Sequence, residues 1–341
     1  MNNESIMQSR AKIQQMLNGY QAACILVAAG ELDVFAPILR NGNSLSAAKL
    51  CESINSNPRT TETLLDALCA LGILKKSAQA SYSIPDEFKE LLDIDHPQTF
   101  IPMLRHAGTC MRQWIQLAWT VKSGFPAPRC SGIHGPQMDG KSFILAMNSI
   151  AVEHAPILVQ DMKDAGLLNF HRLLDVGAGP GTYTIEMLKI MPNATATLFD
   201  LPVGIQTAKN RVKEENLEDR VAFVEGDFYV DELPQGADFV WLSAIIHQHG
   251  RKESRNLYAK INRALSIGGK LAIRDSLLNA DRTAPVFGTM FAMNMVANTE
   301  KGMVYTFEEI KEDLESSGFT DVKLAIATET MNSVITAVKT R

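Results

Sequence analysis

The feature that most constrains this chain is a strand-like run followed by closely spaced glycines, at residues 173–183. The run is short and apolar and carries Asp175 near its end, and three glycines then occupy every second position: Gly177, Gly179 and Gly181. Glycine tolerates positive φ and lets a ligand approach the backbone closely. Helical spacing resumes after the glycines, so the loop delivers a ligand to the amino-terminal end of a helix. The stretch predicts a strand, a tight turn and a helix that bind a small-molecule cofactor.

Composition restricts the class of protein. The 341 residues are more than one domain usually contains, which favours two domains. The net charge of −5 carries no signature of binding to nucleic acid or to an anionic membrane. Five scattered cysteines indicate neither a disulfide framework nor a zinc site. With no signal peptide and no run of about 18 apolar residues, we expect a cytoplasmic protein without a membrane span.

Strand-like runs alternate with helical patterns in the second half of the chain. Because the last two runs are close in sequence, we expect them to pair antiparallel. The pattern predicts an α/β fold with a seven-stranded, doubly wound, Rossmann-like sheet, in which ligands bind beyond the carboxyl ends of the strands. The expected strands are Leu173–Val176, Ala196–Phe199, Val221–Val224, Phe239–Leu242, Leu271–Ile273, Val322–Ile326 and Val334–Val338.

Residues at these strand ends indicate which cofactor is bound. The glycine spacing differs from the Gly-x-Gly-x-x-Gly of dinucleotide sites, and Asp175 would repel a pyrophosphate but suits a ligand with ammonium and sulfonium charges. Asp200, followed by Leu201, ends the second strand where a carboxylate accepts ribose hydroxyls. Together the strand ends predict S-adenosylmethionine, with adenine and the remaining contacts assigned to Asp227, Phe228 and Ser243. Simpler alternatives stay open for single positions: a plain turn at the glycines, a helix cap at Asp200 and a loop cap at Asp227.

The first hundred residues have the pattern of a winged helix. Apolar spacing predicts a helix from about Ser9 to Phe35, a second beginning at Ser44, and a third from Asn57 to Leu71, followed by two short extended pieces. The third helix would enter a DNA groove, but it carries Glu62 and Asp66 and no basic residue beyond Arg59 at its start. A scaffold for protein contact is therefore favoured over DNA binding.

The segment between these two regions is predicted to be helical, with a glycine- and proline-rich loop at 123–137 that suits a hinge or lid. A helix beginning near Phe143 would connect the two regions. We therefore divide the chain into a winged-helix domain at 1–100, connecting helices with a lid at 101–160, and a domain that binds S-adenosylmethionine at 161–341.

Four motifs carry a resemblance to a known family. They are Asp175 to Gly181, Gly226-Asp227-Phe228, His247 and Gly268-Gly269-Lys270. Over nearly its whole length the chain resembles the class I S-adenosylmethionine-dependent O-methyltransferases with an amino-terminal winged-helix dimerisation domain. These include the caffeate, hydroxyneurosporene and acetylserotonin methylating enzymes.

The resemblance implies a homodimer and a catalytic histidine. The family's histidine, a general base on the acceptor hydroxyl, matches His247, and its first flanking glutamate matches Asp275. The second falls near Val304, which has no side-chain acceptor. Plant members have Asp-Trp after the histidine, where this chain has Gln248-His249.

The sequence offers candidates for an acceptor site and argues against a metal site. His247 and His249 form His-x-His, but no nearby cysteine or paired carboxylate completes a metal site, and His249 is expected at the surface or behind the catalytic residues. Helical spacing groups three candidate acceptor contacts, Met290, Met293 and Asn294, for which ordinary core packing is the alternative. Weaker candidates for the opposite wall are Trp114, Met147 and His154.

These predictions describe an enzyme of secondary metabolism that methylates a hydroxyl of an aromatic or apolar small molecule. Two alternatives remain at this stage. One is an enzyme of the same fold that methylates carbon, nitrogen or sulfur, or uses the cofactor without methyl transfer. The other is a winged-helix regulator that senses the cofactor and binds DNA.

Overall fold

The computed structural model describes residues 3–340. Its α-helices, in chain order, are α1 (Asn3–Asn18), α2 (Tyr20–Glu31), α3 (Phe35–Arg40), α4 (Ala47–Ile54), α5 (Pro58–Ala70), α6 (Lys89–Leu92), α7 (Ile101–Trp114), α8 (Leu117–Ser123), α9 (Pro136–Asp164), α10 (Thr182–Ile190), α11 (Pro202–Glu214), α12 (Arg251–Ala264), α13 (Val286–Asn298) and α14 (Phe307–Ser316). Short 3-10 turns lie at Asp86–Phe88, Glu218–Arg220 and Ile246–Gln248.

The strands form three sheets of very different size: β1, β3 and β2 make one, β9 and β10 a second, and the remaining seven strands the third. In chain order they are β1 (Leu45–Ser46), β2 (Lys75–Lys76), β3 (Ser81–Ser83), β4 (Arg172–Val176), β5 (Thr195–Asp200), β6 (Val221–Glu225), β7 (Ala237–Ser243), β8 (Leu265–Asp275), β9 (Leu277–Leu278), β10 (Tyr305–Thr306), β11 (Phe319–Ile326) and β12 (Ser333–Lys339).

Contacts divide the chain into two units. One comprises the residues up to Arg112 together with Arg129–Ser149, and the other comprises Gln113–Pro128 together with the residues from Ile150 onward. The boundary therefore passes through α7 and α9. The three-part division at 100 and 160 was made from the sequence alone and stays a prediction.

The N-terminal unit contains the expected winged helix. Ser46 caps α4 by accepting from the backbone N–H of Lys49, and Asn57 caps α5 by accepting from that of Thr60, as side chains of this kind commonly do. The two wing strands pair antiparallel, and β1 adds a third strand to them. The single helix expected over 9–35 is wrong in extent: α1 begins at Asn3, and the helix is interrupted at Gly19, glycine being a poor helix former.

The C-terminal unit is built on the seven-stranded sheet, in the order β11-β12-β8-β7-β4-β5-β6. Strands β4 to β8 run parallel, while β12 pairs antiparallel with both β8 and β11. The predicted α/β class, the seven strands and the final antiparallel pair are confirmed. The observed strands are longer than predicted because their ends include polar and glycine residues, notably at 265–270.

The sheet has an apolar core on each face, and alternation along the strands decides which side chain enters which core. One core contains Leu242 and Ile273 with helices α12 and α14. The other contains Trp241 and Ala272 with residues of α9 and α10. Adjacent residues at a strand end therefore serve opposite faces of the sheet, which determines how the site is built.

Helix α9 is the one helix in residues 3–340 that length and composition would allow to cross a membrane. It contains Pro156, and its second half contributes Ala155, Leu158, Val159 and Met162 to the core of the sheet. Core helices of soluble proteins satisfy the same measure of length and hydropathy.

Candidate active site

The glycine loop joins β4 to α10 and has the backbone that its sequence predicts. Gly177, Gly179 and Gly181 all have positive φ, at 72°, 54° and 72°, a conformation that favours glycine. A Cβ atom at Gly177 would lie 2.5 Å from Ile245 Cδ1, whereas one at Gly179 would meet no atom within 4 Å. Open space therefore lies over Gly179, where a ligand can approach the backbone.

Asp200 ends β5 and is fixed by two backbone donors. The N–H of Gly179 donates to Oδ2 and the N–H of Leu201 to Oδ1, both at 2.6 Å. Burial raises the pKa of this carboxyl, and the two backbone hydrogen bonds oppose the rise. Asp200 thus ties the glycine loop to the neighbouring strand end, while Leu201 beside it is half exposed.

Asp175 is a buried acid at this edge of the sheet, only 3% exposed. Its side chain faces the core that contains Trp241, with which it is in register. Thr184 Oγ1 of α10 donates to Asp175 Oδ2 at 2.6 Å. Burial raises the pKa of Asp175 to about 7, the Thr184 hydrogen bond opposes this, and the charge of Asp200 adds to it. A positive charge brought to this carboxyl would favour its ionised form.

Asp227 and Phe228 follow β6 and form a compact turn. The N–H of Tyr229 donates to Asp227 Oδ1 at 2.8 Å, so this carboxyl does cap its loop. The Phe228 ring lies 3.7 Å from the position of a Cβ at Gly177. The structure therefore brings the aromatic ring close to the glycine loop, as expected from their positions at parallel strand ends.

Ser243 ends β7 beside Arg274 of β8, with which it is in register. Arg274 Nη1 donates to Ser243 Oγ at 3.1 Å, and Arg274 Nε donates to Asn332 Oδ1 at 2.8 Å. The guanidinium lies over the ring of Tyr183, 4.8 Å from its centroid. Sequence reasoning selected Ser243 and missed Arg274, which directly follows the predicted strand Leu271–Ile273.

His247 and Asp275 form a buried pair beyond the ends of β7 and β8. His247 Nδ1 lies 2.8 Å from Oδ1 and 3.0 Å from Oδ2 of Asp275, and the backbone N–H of Ser276 also donates to Oδ1. His247 is 6% exposed and Asp275 is 2% exposed. Because a carboxylate accepts, it selects the tautomer in which Nδ1 carries the hydrogen, leaving Nε2 as an acceptor.

Helix α13 packs beside the histidine. The ring of Phe291 meets that of His247 edge-on, with centroids 4.8 Å apart. Further along the helix, Asn294 Oδ1 accepts from Trp114 Nε1 at 2.8 Å and from Asn298 Nδ2 at 3.0 Å. Two residues selected separately from the sequence as acceptor contacts, Trp114 and Asn294, are therefore hydrogen-bonded to one another.

The other residues proposed as acceptor contacts lie on different helices. On α13, Met290 is 50% exposed and Met293 is half-buried. His154 lies on α9 one turn before the buried Leu158. Met147 belongs to the N-terminal unit. Val304, where the resemblance would require an acceptor, is fully buried, and the neighbouring N–H of Met303 donates to the carbonyl of His247.

Comparison with known proteins assigns the family. A model of the O-methyltransferase domain matches residues 114–320, and a model of the O-methyltransferase dimerisation domain matches residues 14–86. The chain belongs to the O-methyltransferase family. The family's members depend on S-adenosylmethionine, so this chain is an S-adenosylmethionine-dependent O-methyltransferase, as predicted.

Individual relatives agree with this assignment along the whole methyltransferase. Acetylserotonin O-methyltransferase of Gallus gallus is 31% identical over 92% of both chains. The tetracenomycin polyketide synthesis 8-O-methyl transferase TcmO of Streptomyces glaucescens is 29% identical over 91% of both. The solved structure of human N-acetylserotonin methyltransferase in complex with SAM has a TM-score of 0.82 at 25% identity, with 98% of both chains covered.

The described residues of this methyltransferase fit its cofactor. Open space over Gly179 leaves room for a ligand at the backbone, and the carboxyl of Asp175 suits a cation better than the phosphates of a dinucleotide. Within residues 3–340 no group of three or more histidine, cysteine or acidic side chains is placed to hold a metal ion. The assignment of single residues to parts of the cofactor stays a prediction.

His249 is the site residue that sequence reasoning described least well. Its side chain is 2% exposed, so the surface position offered as one expectation is wrong. It lies against the rings of Phe228 and Tyr229, at centroid distances of 5.6 and 5.0 Å, and neither ring nitrogen has a hydrogen-bond partner. Burial, together with the nearby His247, lowers the pKa of His249 to about 4, which keeps the ring neutral at physiological pH.

Proposed function

We propose that this methyltransferase acts on the hydroxyl of an aromatic or otherwise apolar small molecule, with His247 as general base and Asp275 as the residue that orients it. The observation that carries the proposal is the contact of His247 Nδ1 with both oxygens of a buried carboxylate, at 2.8 and 3.0 Å. Such a partner fixes the ring and stabilises the imidazolium formed when Nε2 accepts a proton.

The chemistry requires a base more than an activated electrophile. S-adenosylmethionine supplies a methyl group on a sulfonium, which is already electrophilic. A phenol has a pKa of about 10 and is protonated near neutral pH. Imidazole at His247 would take that proton as the oxygen attacks, an effect worth roughly 10²–10⁴-fold in rate.

The wall for the acceptor is assigned to α13 and α8, which pack against each other. Because two donors already occupy Asn294 Oδ1, its Nδ2 is the group directed to an acceptor oxygen. Exposed apolar side chains on these helices and the link before α8 suit a flat aromatic molecule: Ile115, Trp119, Phe287 and Met290. The relatives' names, acetylserotonin and a tetracenomycin polyketide, agree with an aromatic acceptor.

The activity can be tested by incubating the chain with S-adenosylmethionine and a set of phenols, hydroxyindoles and hydroxynaphthoates. We expect S-adenosylhomocysteine and one methyl ether to form in equal amounts. His247→Ala should lower kcat roughly 10²–10⁴-fold and leave the Kd for S-adenosylhomocysteine unchanged. Turnover close to wild type in this variant would contradict the base assignment. Gln248→Ala, at the exposed neighbouring position, is the matched control.

The fold of the N-terminal unit supports a homodimer, in line with the dimerisation domain that matches residues 14–86. Helix α1 exposes a stripe of large apolar side chains, each at least half exposed: Ile6, Met7, Ile13, Met16 and Leu17. A second copy of the chain would cover them. Light scattering after size exclusion should give twice the chain mass, and the paired substitutions Ile13→Glu and Met16→Glu should give a monomer.

A further inference from the structure

Arg274 is a buried cation without an acidic partner. Arg274 is 5% exposed, and no ion pair among residues 3–340 involves it. The neighbouring acid, Asp275, points to the other face of the sheet, where His247 and the Ser276 N–H engage its oxygens. Burial lowers the pKa of the guanidinium, but arginine remains charged at physiological pH. A buried charge of this kind is costly unless an opposite charge joins it.

The surroundings of Arg274 contain more hydrogen-bond donors than acceptors. Its Nε and Nη1 already donate to Asn332 Oδ1 and Ser243 Oγ. Beneath it lies the ring of Tyr183, whose hydroxyl is buried and has no partner. The indole Nε1 of Trp241 is likewise buried and unpartnered, and its ring centroid is 5.5 Å from that of Tyr183. The cluster therefore requires an acceptor, preferably an anionic one.

The position of the cluster indicates which anion. Tyr183 is the second residue of α10 and follows the glycine loop directly, and Arg274 is level with Ser243 at the carboxyl end of the sheet. Asp175 faces the same side, one strand beyond β7, so the strands of Asp175 and Arg274 are about 10 Å apart. An acid and a base presented together on one face are the complement of an α-amino acid group.

We propose that Arg274, with the Tyr183 hydroxyl, binds the carboxylate of the methionine part of S-adenosylmethionine. Asp175 is then left for the ammonium group of the same amino acid. Ser243 has a supporting function: by accepting from Nη1 it holds the guanidinium in place. The inference rests on the S-adenosylmethionine assignment and is independent of the base function proposed for His247.

The test is a comparison of two ligands by calorimetry, with no turnover involved. One ligand is S-adenosylhomocysteine, and the other is its decarboxylated analogue, which keeps the amine and lacks only the carboxylate. We expect Arg274→Met to weaken binding of S-adenosylhomocysteine about 10- to 100-fold, as for hydrogen bonds to a charged group, and to leave the analogue's Kd unchanged. Arg263→Met, at an exposed arginine of α12, is the control and should change neither Kd.

Tyr183→Phe provides a second test, since it removes only a hydroxyl that has no partner in the fold. This variant should weaken S-adenosylhomocysteine several-fold and spare the analogue, even if Arg274→Met proves unable to fold. If these variants weaken the binding of both ligands equally, or change the binding of neither, the proposal is overturned and Arg274 has only a structural function. Wild-type protein that binds neither ligand would refute the cofactor site itself, which is a distinguishable result.

Discussion

Asp175 provides a sharp test of the electrostatics of the site. Burial raises its pKa to about 7 from an ordinary value of 3.8. Between these values the folded chain retains a proton that the unfolded chain has released. The unfolded state therefore binds fewer protons, and the free energy of unfolding falls as the pH rises. The slope is about 1.4 kcal/mol per pH unit, so from pH 5 to pH 7 the loss is about 2 to 3 kcal/mol.

The substitution Asp175→Asn removes this titration. Asparagine still offers an oxygen to Thr184, whose hydroxyl donates to Asp175 Oδ2, so the packing is preserved. We expect the variant to become more stable relative to wild type by about 2 to 3 kcal/mol between pH 5 and pH 7. At the same time it should bind S-adenosylhomocysteine more weakly, because the ammonium group loses its counter-charge.

Urea unfolding followed by tryptophan fluorescence measures this difference. All three tryptophans, Trp114, Trp119 and Trp241, belong to the C-terminal unit, so the signal reports the unit that holds Asp175. Asp219→Asn, at an exposed aspartate of the turn before β6, is the control and should follow wild type at every pH. A wild-type-to-variant difference that is the same at pH 5 and pH 7 would refute the reasoning, because Asp175 would then be ionised throughout.

Three other predictions concern ligand binding and the acceptor. Gly179→Val should abolish measurable S-adenosylhomocysteine binding in calorimetry, since the valine side chain fills the open space over a residue at φ 54°. Gly42→Val, at a positive-φ glycine of the N-terminal unit, is the control: it should strain the backbone and leave binding unchanged. Asp200→Ala should weaken the same ligand at least 10-fold, because the Gly179 N–H loses its acceptor and the site loses its charge; unchanged affinity would contradict the assigned site. Asn294→Leu should raise KM for the acceptor and leave cofactor affinity intact in steady-state kinetics and calorimetry, and an effect on the cofactor alone would contradict the acceptor assignment.

The fold could be predicted from the sequence because its signals are local. Parallel strands buried on both faces appear as short apolar runs, and helix spacing between them fixes the α/β alternation. The same local signals predicted that Asp200, Phe228 and the glycine loop lie close together, since each stands at the carboxyl end of a strand in the sheet. Strand lengths were underestimated where glycine or polar residues continue a ladder, as at 265–270. The helix break at Gly19 was not predicted because the apolar pattern continues across it.

Burial was harder to predict than position. His249 lies in a loop, where polar side chains usually meet solvent, yet it is packed against two aromatic rings from the turn after β6. The residues near His249 in the sequence do not predict this contact, because Phe228 and Tyr229 are about twenty residues away. Arg274 was missed for the converse reason. A lone arginine after an apolar run gives no sign of its partners, because Ser243, Asn332 and Tyr183 come from three distant parts of the sequence.

The position of Arg274 next to Asp275 explains how one strand end can serve both halves of the reaction. Side chains of consecutive strand residues point to opposite faces. Asp275 therefore orients His247 on the face of α12 and α14, while Arg274 lies on the face of Tyr183 with the proposed cofactor carboxylate. A one-residue slip of β8 would exchange the two faces, and the antiparallel pairing of Ser333 with Asp275 opposes such a slip. Strand β12 thus contributes to function by fixing the register of β8, although it carries none of the assigned site residues.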